Sequence, residues 1–218
     1  YCVDLGGKSN RPPTTIPPAP TAMKNKAKLF LAAAASTAPL AAFAHPGALA
    51  DHVHTGFASG LLHPLTGPDH LAAMLAVGMW SALVLRPRWA APLAFVALLL
   101  AGALAAQAGL TVPGVEPMIA ASLLVVGLLT AARTRLPVWG GALLVGAFAF
   151  FHGAAHGNEL AGPGAAAALL GMVIGTAVLH LVGMGLGEAA LRRARWISAV
   201  AGAAVAALGS ALLLRMAM

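Results

Sequence analysis

The chain has 218 residues, of which 60% are hydrophobic and only 9% charged, where a soluble domain carries roughly a quarter charged. Apolar runs close to the roughly 18 residues that cross a bilayer recur along it, so an integral membrane protein built of helices is expected. The net charge of +7 lies in short clusters between apolar runs, without the basic stripe and interleaved aromatics of a nucleic-acid binder, and a single cysteine, Cys2, excludes a disulfide framework or a cysteine-rich metal site.

Residues 1–22 are polar and proline-rich and read as a disordered or upstream leader. Met23 is a plausible start. From there residues 23–44 have the form of a cleavable signal peptide: basic Lys24, Lys26 and Lys28, an apolar stretch from Leu29 to Leu40, and the A-x-A site Ala42-Phe43-Ala44. Cleavage after Ala44 would leave His45 with a free α-amino group beside its imidazole. Residues 45–55 then form a short periplasmic segment, in which His45, Asp51, His52 and His54 are candidates for capturing a cation at the entrance.

Residues 56–218 read as one permease-like domain of six transmembrane helices. The expected spans are 56–85, 90–110, 116–132, 137–156, 164–188 and 196–214, joined by short connections that favour antiparallel neighbours. Arg86 and Arg88 follow the first span, Arg133 and Arg135 the third, and Arg192, Arg193 and Arg195 the fifth. The positive-inside rule then makes these loops cytoplasmic and the mature N-terminus periplasmic, as an export signal also requires. A multi-pass protein of the bacterial inner membrane is expected. Gly153–Gly157, Gly171–Gly175 and Gly183–Gly187 are GxxxG pairs suited to close helix packing.

The first span is expected to be broken at Pro64–Pro68. Both prolines remove a backbone donor, Gly67 adds freedom, and Pro68 suits the first position of a new helix. Irregular backbone at membrane depth is tolerated where protein or a water-filled cavity surrounds it, a recurring way to build ion sites. This span carries His63, Asp69 and His70, and an aspartate inside a membrane helix costs on the order of 2.5–3.5 kcal/mol on insertion scales. The fourth span ends "FHGAAHGNE". His152 and His156 stand one helical turn apart, with Glu159 one turn further, an arrangement that can chelate a borderline divalent metal. On the fifth span His180 and Glu188 are candidates for an inner relay. Met74 and Met184 read as packing residues. Spans two, three and six hold few polar groups and read as scaffold.

These residues also carry a resemblance. "HPGALADHVHTGFASGLLHPLTGPDHLAAMLAVGMW" closely resembles the start of mature HupE/UreJ proteins, and "FHGAAHGNE" is similar to that family's second motif, of the form FHGxAHGxE. The resemblance covers about residues 23–218. It implies a secondary permease for nickel or cobalt that supplies a hydrogenase or urease. It assigns a metal-path role to His63, Asp69, His70, His152, His156 and Glu159, and matches His45 to the family's N-terminal histidine. His180 belongs to neither motif.

The residues alone are less specific. Imidazole and carboxylate suit several divalent ions, and nothing in the chain separates nickel from cobalt. No Walker motif is present, so ATP is not expected as the direct energy source. Transported Ni²⁺ or Co²⁺ is expected as cargo, with no permanently bound cofactor and no enzymatic activity. The expected partners are the metal ion and the lipid bilayer, with no nucleic acid. A haem-binding membrane cytochrome and a proton or small-solute channel are the alternatives. Ser59, in "FASG", sits in an unsuitable setting for an intramembrane serine protease.

Overall fold

A computed structural model describes residues 56–218. Within them the chain forms seven helices and no strand: α1 (Phe57–Thr66), α2 (Pro68–Val84), α3 (Ala90–Gln107), α4 (Val115–Ala132), α5 (Val138–Glu159), α6 (Ala165–Arg192) and α7 (Arg195–Ala217). Helices α3 to α7 are each long and apolar enough to cross a membrane. Large apolar side chains on their outer faces, among them Leu93, Leu104, Leu128, Leu143, Leu170, Leu181 and Leu214, are exposed. A continuous apolar exterior of this kind requires hydrocarbon around it, and the chain is a multi-pass membrane protein.

The first expected span is two helices of 10 and 17 residues. Of the segment Pro64–Pro68, only Gly67 is non-helical, with φ −100° and ψ 119°. Pro64 stays inside α1, while Pro68 takes the first position of α2, where its missing N–H has no intrahelical partner to lose. The fourth span continues past its expected end at residue 156, so Glu159 is a helical residue that shares a face with His156. The fifth span likewise runs on to Arg192.

Glycine sets the packing. A Cβ on Gly153 would lie 1.9 Å from the Leu99 carbonyl oxygen, and one on Gly157 would lie 2.4 Å from that of Ala103, so α3 and α5 touch backbone to backbone and run parallel. Gly171 meets Phe57, Gly175 meets Leu61, Gly183 meets Leu75 and Gly187 meets Met79, so α1 and α2 both run parallel to α6. Gly127 and Gly202 face each other across the antiparallel pair α4 and α7. The expected GxxxG contacts are thus observed. Met74 and Met184 are buried in this packing. Trp80, Phe95 and Leu99 belong to one buried cluster, and the Trp80 indole N–H donates to the carbonyl of Thr134, in the arginine-bearing loop after α4, at 3.0 Å.

The arginines other than Arg215 gather at one end; Arg215, in the last turn of α7, lies toward the other. Arg88 pairs with Glu188, and Arg133 donates to the Ser198 hydroxyl at 2.8 Å. His63 and Glu159 mark the opposite end, since α2, α4 and α6 run away from it toward the arginines.

Candidate metal site

The break at Gly67 decides where the first histidines go. Leu61 backs onto Gly175 and Leu75 onto Gly183, so fourteen residues of the α1–α2 segment run alongside only eight of α6. In an unbroken helix His63 and His70 would stand about 10 Å apart along the axis. Here both rings lie 4.3 Å, centroid to centroid, from the ring of His156. The bend therefore brings two levels of one strand of chain onto a single residue of α5.

Three ligand-type atoms converge there. His63 Nε2 lies 2.7 Å from His156 Nδ1, His156 Nδ1 lies 2.9 Å from Glu159 Oε2, and His63 Nε2 lies 3.4 Å from the same oxygen. Ligands bound at about 2.1 Å from one divalent ion stand roughly 3.0–3.4 Å from each other in octahedral or tetrahedral geometry. The three separations are close to that spacing. Among the described residues, His63, His156 and Glu159 form the one group of three or more His, Cys, Asp or Glu that could hold a metal ion. Glu159 is exposed, His63 is half-buried and His156 is buried, so the group descends from surface to interior.

Two further imidazoles continue inward. Asp69 Oδ1 accepts both the backbone N–H and the Nδ1–H of His70, each at 2.9 Å. That fixes the tautomer and leaves Nε2, buried and without a hydrogen-bond partner, as the lone-pair nitrogen. A carboxylate behind a histidine in this way orients the ring and raises its basicity toward a metal. Asp69 thus reaches His70 rather than the three-atom group. The His70 ring stands edge-on to His152 at 5.0 Å.

His152 is fully buried and is held by a residue that no sequence pattern singles out. Ser122 on α4 donates its hydroxyl hydrogen to the Ile119 carbonyl at 2.7 Å. Its oxygen is then the acceptor for His152 Nε2–H at 3.0 Å, which leaves Nδ1 as the lone-pair nitrogen, buried and unpartnered. Nε2 of His156 is likewise buried and unpartnered. A serine inside an apolar span carries no pattern of its own; only the packing of α4 on α5 gives it a role. The third span is therefore more than scaffold.

The second span also contributes. Phe95 on α3 packs against His152 at 5.6 Å and against His180 of α6 at 4.9 Å. His180 is buried beyond that phenyl ring. Glu188 is not with it: two turns further along α6, it is half-exposed and ion-paired with Arg88 at the arginine end. His45, Asp51, His52 and His54, and the expected signal peptide and leader, lie outside the described residues.

The geometry is thus a descending series of nitrogen donors with carboxylates at its first two levels. The sequence profile of the family described as HupE / UreJ protein matches residues 32–212. Protein HupE of Rhizobium leguminosarum bv. viciae is 39% identical over 189 residues, which is 85% of this chain and 97% of that protein. No solved structure matches.

Proposed function

The chain belongs to the HupE/UreJ family, and from that premise we propose that it is a permease for a divalent transition-metal cation, Ni²⁺ or Co²⁺. The observation that carries this reading is the group His63, His156 and Glu159, with ligand atoms all within 4.8 Å of one another at one end of a membrane bundle. The cation is cargo, and the protein acts on it by binding and passing it rather than by catalysis. His63, His156 and Glu159 take it from water. His70, oriented by Asp69, and His152, oriented by Ser122, receive it deeper.

Transport requires release as well as capture, so several moderate sites serve better than one closed site of four ligands. Imidazole with carboxylate is a donor set for borderline ions of the nickel and cobalt kind. The association of this family with hydrogenase and urease favours nickel or cobalt among them.

Six spans, with α1 and α2 together forming the first, and residues 23–44 removed as a signal peptide, complete the proposed topology. The arginine end faces the cytoplasm and the Glu159 end the periplasm, by the positive-inside rule. His45, Asp51, His52 and His54 would then sit on the side from which the ion enters. A b-type haem needs imidazoles that reach iron from opposite faces of a macrocycle; these rings contact one another directly, edge-on or tilted, at 4.3–5.0 Å, which suits a small ion better.

The test is accumulation of labelled Ni²⁺ or Co²⁺ by cells expressing the protein, with and without His70→Ala. Expression should raise uptake, and His70→Ala should abolish the increase at unchanged protein level. Uptake of both ions that does not respond to expression would remove the transport reading. Proton flux without metal flux would favour a relay channel instead.

A further inference from the structure

His180 and Thr176 stand one helical turn apart on α6 and so share a face. His180 is 2% exposed and Thr176 wholly buried. Neither ring nitrogen of His180 has a hydrogen-bond partner, and nor does the Thr176 hydroxyl. A buried threonine in a helix commonly turns its hydroxyl back to the carbonyl four residues earlier, as Thr130 does to Val126 at 2.7 Å. Thr176 does not. Leaving a buried polar atom unpaired forfeits its hydration with nothing gained in return. Two neighbouring side chains bear that cost here, inside a helix that is otherwise apolar over this turn.

The surroundings place them in relation to the metal site. Of the neighbours that face His180, the ring of Phe95 stands edge-to-face at 4.9 Å, and Gly78 of α2 lies against the His180 backbone carbonyl. Neither offers a hydrogen bond to the imidazole. The same Phe95 ring contacts His152, the innermost donor already described. One phenyl ring therefore stands between His152 and His180, and its π-face is the surface that a partly dehydrated cation tolerates best among apolar groups.

We propose that His180 and Thr176 form a second, inner station for the divalent cation, separated from His152 by the ring of Phe95. The inference rests on the permease reading above and adds a site that lies outside both sequence motifs. One imidazole and one hydroxyl make a weak donor set. Weak binding suits the last step before release, where a tight site would trap the ion. Phe95 is the natural barrier between the stations: its ring must swing aside, or the ion must pass its face, for the cargo to move from His152 to His180.

The experiment uses the full chain in proteoliposomes, with Co²⁺ influx as one readout and Co²⁺ affinity of the solubilised protein as the other. His180→Ala should lower influx about tenfold or more while leaving Co²⁺ affinity unchanged, because the outer group is intact. His70→Ala should lower both. A second variant, His180→Cys with Cys2→Ser, places a thiolate, which prefers a soft ion, at the inner station. Its Co²⁺ influx should be blocked by Cd²⁺ at about a tenth or less of the concentration that blocks the chain with Cys2→Ser alone. This readout holds even if His180→Ala does not fold, since a position that only packs would not bind Cd²⁺. Wild-type influx in His180→Ala, or unchanged Cd²⁺ sensitivity in the cysteine variant, overturns the inner station. Wild-type influx in His70→Ala overturns the permease reading itself, whatever His180 does.

Discussion

Gly153→Ala tests whether the backbone contact between α3 and α5 positions the proposed metal site. The added Cβ would stand 1.9 Å from the Leu99 carbonyl oxygen, 2.7 Å from its carbon and 2.9 Å from the Ala103 nitrogen. Favourable carbon contacts begin at about 3.5 Å, so the two helices must separate by roughly 1.5 Å. No flexible side chain can absorb this, because the obstructing atoms are backbone. Overpacking of this kind costs about 1–3 kcal/mol.

The consequence for the site follows from its distances. His156 is one turn beyond Gly153 on the same helix. His156 and Glu159 shift together, because both belong to α5, but His63 on α1 does not follow. The 2.7 Å approach of His63 to His156 is the one that breaks. Metal–ligand bonds tolerate only about 0.2 Å of misplacement, so even a fraction of the shift removes one ligand of three. Gly153→Ala should therefore lower Co²⁺ affinity and influx about tenfold or more. Gly140→Ala on the same helix is the control, since the nearest atom to its new Cβ is Pro137 Cδ at 3.9 Å. The measurements are Co²⁺ titration of the solubilised protein, influx into proteoliposomes, and the thermal midpoint. If Gly153→Ala binds and transports like the wild type, close approach of these helices does not set the site, and the reasoning is refuted.

The other expected outcomes follow from single contacts. Glu159→Gln keeps the shape but removes the charge at the outermost ligand, and should weaken Co²⁺ binding about tenfold in a titration that leaves the far-ultraviolet helical signal unchanged. Asp69→Asn can no longer accept two bonds at His70 as a charged carboxylate; affinity should fall about 10- to 100-fold, and a smaller loss than that of Glu159→Gln would mean that His70 needs no orienting group. Ser122→Ala frees His152 to adopt either tautomer, so Co²⁺ influx should fall while the affinity of the outer group changes little. Glu188→Gln breaks only a half-exposed ion pair with Arg88, of a kind worth about 0–1 kcal/mol; influx within about twofold of wild type is expected, and a collapse of influx would make Glu188 part of the path.

Much of this site was legible because its chemistry is costly in a membrane. An aspartate and five histidines in hydrophobic sequence stand out, and the spacing of His152, His156 and Glu159 states their common face without any structure. The helix break was legible for the same reason, since Pro68 and Gly67 have few other uses at that depth. The residues that hold the ligands were not. Ser122 and Phe95 are ordinary occupants of apolar spans, and their roles arise only where α4 and α3 meet α5 and α6. The convergence of His63 and His70 on one ring was also hidden, because helical periodicity assumes a continuous axis. Seven residues should have meant two turns of separation. The bend at Gly67 lets fourteen residues occupy the length of eight, and that compression, invisible to spacing rules, is what turns two motifs on two helices into one descending series of donors.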